Sequence, residues 1–135
     1  MSYAAQTASY REMEVTSASK EKLVVVVFDQ LVVNLERARI AMERQDPELR
    51  VTSLTRSRNI VSELLATLDF DKGGRIATQL ADLYQYMLYE LVDIGQRGDV
   101  VTMRKLVNVA SNLRDGFQGA ADQLAGKPAL NRVPA

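Results

Sequence analysis

Any chemistry on this chain has to be done without histidine and without cysteine, because neither occurs among its 135 residues. Their absence removes the usual general base, the His-assisted nucleophiles, disulfides, thiolate metal sites and the commonest metal ligand. A di-iron helical bundle needs Glu-x-x-His pairs and is excluded for the same reason. The remaining candidates are weak. Asp69 and Asp71 make a carboxylate pair in sequence, but a turn and a helix cap account for both. Lys72-Gly73-Gly74-Arg75 could offer backbone N–H groups to an anion ahead of a helix, yet it lacks the P-loop spacing and reads as a structural turn. Arg50, Arg56 and Arg58 share one predicted helix as a modest basic cluster, either a solvated face or a docking patch for an acidic partner. Tyr84, Tyr86 and Tyr89 point to different sides of another helix, and Tyr84 borders its apolar seam. No enzyme, metal or cofactor is expected.

The feature that invites a function is a surplus of apolar surface. With each residue turning about 100° on a helix, the core seam of the first helix lies within about 40° of Val24. Val26, Val33 and Ile40 recur every seven residues on the opposite side, at roughly 160–200°. A later helix repeats this weakly: Tyr89 and Val92 fall far from its Ile76–Met87–Ile94 seam. A four-helix bundle needs one stripe per helix. The second stripe is either covered by the chain's own segments or open to a partner's helix or extended segment.

The elements carrying these stripes follow from periodicity and capping. Helix one is predicted from about Lys20 to Gln45, with Ser19 as N-cap; its core spacing is Val24, Phe28, Leu31, Leu35, Ala38, Met42. Asp46-Pro47-Glu48 starts helix two, with Val51, Leu54, Val61, Leu65 and Leu68 in a seam that Arg58 interrupts. Residues 69–74 read as a turn. Helix three follows with Ile76, Leu80, Leu83, Met87, Leu91 and Ile94, and Gly95 is its predicted C′ residue. Asp99 caps helix four, which carries Met103, Leu106, Ala110, Leu113, Phe117, Ala121 and Leu124. Long helices with short connections predict an all-α fold, an antiparallel up-down four-helix bundle over residues 19–126.

Residues 1–18 form an N-terminal arm or short cap helix whose apolar members include Tyr3, Tyr10, Met13 and Val15; residues 127–135 read as a flexible tail. The arm is short, precedes helix one directly, and is expected to act as a lid over apolar surface there. Seventeen basic residues balance seventeen acidic ones, which argues against a nucleic-acid partner. No apolar run approaches the roughly 20 residues that span a bilayer, so no membrane insertion is expected. Met1-Ser2-Tyr3-Ala4 has neither a basic nor an apolar signal region, so the expected address is cytoplasmic.

Two stretches together resemble the FliS family of flagellar secretion chaperones. The first is Tyr10, then residues 15–24 (VTSASKEKLV), then Phe28-Asp29; the second is Leu68-Asp69, Gly73-Gly74-Arg75-Ile76-Ala77, Leu80 and Leu83-Tyr84-Gln85-Tyr86-Met87. Lys20, Phe28 and Gln30 replace the family's usual Pro, Tyr and Gly. The resemblance implies a helical bundle that binds the disordered C-terminal segment of flagellin in the cytoplasm. It implies that this binding blocks premature polymerisation, and that the complex goes to the flagellar type III export gate without nucleotide or metal. Tyr10, Val26, Val33, Ile40, Tyr89 and Val92 are the candidate flagellin-binding residues. The alternative is a helical adaptor that uses the surplus stripe to homo-oligomerise, and a weak homodimer is compatible with either function.

Overall fold

The computed structural model describes residues 20–126. They form four helices and, among the described residues, no strand: α1 (Lys20–Arg44), α2 (Pro47–Ala66), α3 (Phe70–Arg97) and α4 (Val100–Leu124). The predicted N-cap Ser19, the arm with Tyr10 and the tail lie outside the described residues.

Linkers of two or three residues force each helix back alongside its predecessor. α1 packs closely against α2 and α4, α2 packs against α3, and α3 meets α4 more loosely. The helices therefore follow one another round the bundle, and α1 and α3 stand at opposite corners.

Three aspartates set the starts. Asp46 Oδ1 accepts from the Leu49 amide at 3.1 Å, with Pro47 at the first helical position. Asp69 Oδ1 accepts from the Lys72 amide at 3.0 Å. Asp99 Oδ1 accepts from Val101 and Thr102 amides at 3.0 and 3.3 Å, while the Thr102 hydroxyl donates to its other oxygen. These contacts, the Thr102 hydroxyl foremost, hold the Asp99 carboxyl below its ordinary pKa. A lowered folded-state pKa gives stability that is present above the ordinary carboxylate range and fades as pH falls through the lower folded value. Asp99→Ala is therefore expected to lower Tm by a few degrees near neutral pH. In thermal melts that difference should shrink as the pH drops below about 4.

The core is built round Phe28, fully buried on α1. Its ring stacks on Phe117 of α4 at 5.3 Å between centroids and meets Tyr84 of α3 at 6.4 Å and 41°. Leu31, Leu35, Val61, Met87, Leu91, Ile94, Met103 and Leu106 complete it. Burial pushes the Tyr84 phenol up to about 12, so it stays neutral at any working pH.

Several local expectations are corrected. Residues 69–74 are no plain turn. Asp69 caps a helix that begins at Phe70 and kinks at Gly74, whose φ of 51° and ψ of −124° suit only glycine. The neighbouring Gly73 is equally constrained, since a Cβ there would sit 2.8 Å from the Ala77 Cβ. α3 does not stop at Gly95; it runs to Arg97 and ends on Gly98 in the left-handed region, whose N–H donates to the Ile94 carbonyl. Two glycines three residues apart can each end a helix, and here Arg50 of α2 donates to the Ile94 and Gly95 carbonyls at 3.0 and 2.7 Å. Val51, Ile76 and Leu124, all assigned to seams, are exposed. Arg58 does not cross the core either. It is half-buried on the α3 side, and the buried position beside it is Ser57, whose hydroxyl donates to the Ser53 carbonyl at 2.8 Å.

Candidate functional site

α1 has two faces. One carries Val25, Phe28, Leu31, Leu35 and Ala38 into the core. The other leaves Val26 and Val33 at 44% and 46% exposure, with Ile40 half-buried in line with them. The second stripe of the helix thus lies on the outside of the described bundle, and none of its three members belongs to the core cluster.

Ion pairs edge this stripe on the α4 side. Arg114 lies 3.6 Å from Asp29, and Arg104 lies 2.9 Å from Glu43, which Arg39 also contacts at 3.1 Å. The bond donated by Arg104 is the main reason the Glu43 carboxyl is held below its ordinary range. On the α2 side the edge is a polar notch of about 250 Å³ between Gln30, Asn34, Arg56, Asn59, Ile60 and Glu63. Sequence reasoning did not single out Asn34, Asn59, Ile60 or Glu63. The available signal was Asn34 itself, a polar residue within Leu31-Val32-Val33-Asn34-Leu35.

Tyr89 and Val92 are exposed at 70% and 52%, but on α3, at the far corner. Val92 lines a groove of about 530 Å³ against Arg50, Val51, Leu54 and Arg58 of α2. The structure therefore does not bring these residues to the Val26–Val33–Ile40 face. With neighbouring helices about 8–10 Å apart, one ligand touching both sets must pass across a third helix, a path of roughly 20 Å or more. The basic cluster of α2 is divided likewise: Arg50 and Arg58 face the α3 groove, and Arg56 faces the α1 notch.

A separate depression, apolar and about 390 Å³, sits at the end of the bundle where the described residues begin. Lys20, Val24, Leu68, Ile76, Leu80 and Phe117 line it. No described helix is long and apolar enough to cross a membrane.

The geometry is that of an antiparallel helical bundle with apolar side chains exposed on α1 and α3. The family model described as "Flagellar protein FliS" matches residues 1–124. The flagellar secretion chaperone FliS of Salmonella typhimurium is 34% identical over 108 residues, covering 79% of this chain and 80% of that protein. The FliS of Campylobacter jejuni is 28% identical over 112 residues, covering 82% and 86%, and that of Escherichia coli is 29% identical over 108 residues, covering 79% of each. With the family model spanning residues 1–124 and a relative 34% identical over most of both chains, this chain belongs to the FliS family of flagellar secretion chaperones.

Proposed function

We propose that this protein is a cytoplasmic export chaperone for flagellin. It binds the disordered C-terminal segment of its client, keeps that segment from polymerising and presents the complex to the type III export gate. The observation that carries this is the outward Val26–Val33 stripe on α1, read together with family membership. A disordered segment that orders on the bundle offsets its lost entropy by burying apolar side chains, and this stripe offers such side chains without disturbing the core. Tyr89 and Val92 at the opposite corner suit a client long enough to wrap round the bundle.

Calorimetric titration with the C-terminal flagellin segment tests the assignment: one-to-one binding is expected, and no heat of binding overturns it. Self-association through the same stripe is the competing use, and light scattering separates the two. A chaperone gains mass when client is added, whereas an adaptor is already large alone.

We propose that residues 1–18 act as a lid on the client groove in the absence of client, with Tyr10 as the principal apolar side chain, and that the client displaces them. Such a lid lowers apparent affinity by the fraction of time it is closed and shields the empty surface. Deleting residues 1–14 is expected to raise self-association of the free protein, measured by light scattering, with client affinity equal or higher. A fall in affinity would make Tyr10 a client contact. No change in either quantity would make the arm a tail.

A further inference from the structure

The two edges of the Val26–Val33–Ile40 stripe differ in how their charges are answered. At about 100° per residue, Asp29 and Glu36 lie about 40–60° to one side of Val33, and Gln30 and Arg37 lie about 40–60° to the other. On the first side, toward α4, the three acids all have partners within the chain. Asp29 faces Arg114, Glu36 lies 2.7 Å from Arg39, and Glu43 is held by Arg104 and Arg39. That edge is electrically closed. On the second side, toward α2, stand Arg37 of α1 and Arg56 of α2, both exposed. Neither guanidinium makes a hydrogen bond or an ion pair with a described residue.

Antiparallel packing sets the order along the notch between α1 and α2. Gln30 and Asn34 run one way, and Glu63, Asn59 and Arg56 run the other, so Arg56 stands at the Arg37 end and Glu63 at the Gln30 end. The two unpaired guanidiniums therefore lie together alongside the Val33–Ile40 half of the stripe. A helix resting on Val33 and Ile40 takes water from a guanidinium placed between them. A charge that loses water without gaining a partner weakens binding, and no described residue supplies that partner. The ligand must bring the counter-charge itself. A nucleic acid fits poorly, because it offers the stripe phosphates rather than apolar side chains and meets three acids on the other edge.

We propose that this edge docks a carboxylate: the client segment lies on the stripe as an amphipathic helix, and an Asp or Glu on its α2-side flank sits between Arg37 and Arg56. The proposal rests on the Val26–Val33 stripe being the client face. It also gives the client a direction. Turning a helix end for end on the stripe exchanges its flanks, which would carry the acid to the closed α4 edge and leave both arginines unanswered.

The test titrates the full chain with the C-terminal flagellin segment at about 50 mM and about 500 mM salt, a range over which exposed charges become strongly screened. Arg37→Gln combined with Arg56→Gln should bind about tenfold more weakly at the lower salt and within about twofold of wild type at the higher, with Tm moved by no more than a few degrees. Glu36→Gln, on the closed edge, should change binding by less than about twofold. Replacing the acidic residues of the segment by their amides, one at a time, should find one whose loss weakens wild-type binding but is silent against the double arginine variant. Undiminished binding by the double variant, with binding lost in Val33→Asp, overturns the carboxylate edge and leaves a valid client face. Undiminished binding by Val33→Asp overturns the face itself. An equal loss in Glu36→Gln overturns the one-sidedness, and a loss to which no acidic client residue is coupled overturns the pairing. Tight binding of a single-stranded oligonucleotide, abolished by the same double variant, would make the edge a polyanion site and overturn the proposal too.

Discussion

Val33→Asp is expected to weaken binding of the C-terminal flagellin segment more than tenfold while moving Tm by only a few degrees. Val33 is nearly half-exposed on the face of α1 turned away from the core, so a carboxylate there remains hydrated in the free protein. Val and Asp have nearly the same helix propensity, so the folding cost is the partial loss of apolar contact at a half-exposed site, below about 1 kcal/mol, which a domain of this size registers as a few degrees. Binding is a different matter. A client helix laid on the stripe removes water from position 33, and an unpaired charge moved into apolar surroundings costs several kcal/mol. Even partial desolvation exceeds the 1.4 kcal/mol that a factor of ten requires. Calorimetric titration and a thermal melt of the same preparation decide the matter. An unfolded variant would place the stripe in the core, and undiminished affinity would move the client elsewhere. Val33→Ala, which loses contact without adding charge, should fall between the wild type and the aspartate variant.

The complementary substitution is on the other face of the same helix. Phe28→Ala is expected to destabilise the fold by about 3–5 kcal/mol, the range for deleting a fully buried aromatic ring. Phe28 is the ring that joins α1 to both α4 and α3, through Phe117 and Tyr84, so neighbours on two helices lose their packing partner at once. A loss of that size is a large share of the roughly 5–15 kcal/mol that holds such a domain folded, and Tm should drop by roughly 15–30 °C. The drop is read by circular dichroism at 222 nm or any helix-sensitive signal. Measured where the variant is still folded, its client affinity should change less than that of Val33→Asp. The two sites lie five positions apart, and the pair tests whether one helix divides its faces between stability and binding. A Tm change of only a few degrees would mean that the Phe28 cavity collapses and that the core is centred elsewhere.

What the sequence by itself determined is local or periodic. The all-α class, the starts at Pro47 and Val100, and the presence of two apolar stripes on the first helix depend on residues within one or two turns of each other. Asp46 and Asp99 need only the amides two or three positions ahead to cap, which is why those two starts were legible without a fold; Asp69 caps in the same way, but the glycine pair that follows made residues 69–74 read as a turn. The family was legible too, because its motifs are short and their order is preserved.

Tertiary structure decided everything that depends on which neighbour a flank meets. Gly95 and Gly98 are equivalent stop signals by themselves; an arginine 45 positions earlier in the chain holds the Gly95 carbonyl, and the chain turns at Gly98. Arg58 falls on the apolar seam of α2 by periodicity, but α3 meets that helix on the Arg58 side, and the small back-bonded Ser57 takes the buried place. Val26 and Val92 each looked like part of one surplus surface until the packing set α1 and α3 at opposite corners. Asn34 stands out in the sequence only as a polar residue in an apolar run, and an amide on a helix flank can face water; the arrival of α2 encloses its carbonyl without supplying a donor. Periodicity gives the angle of a side chain about its own helix axis. Whether that angle ends in core, groove or water is set by contacts between residues far apart in the chain.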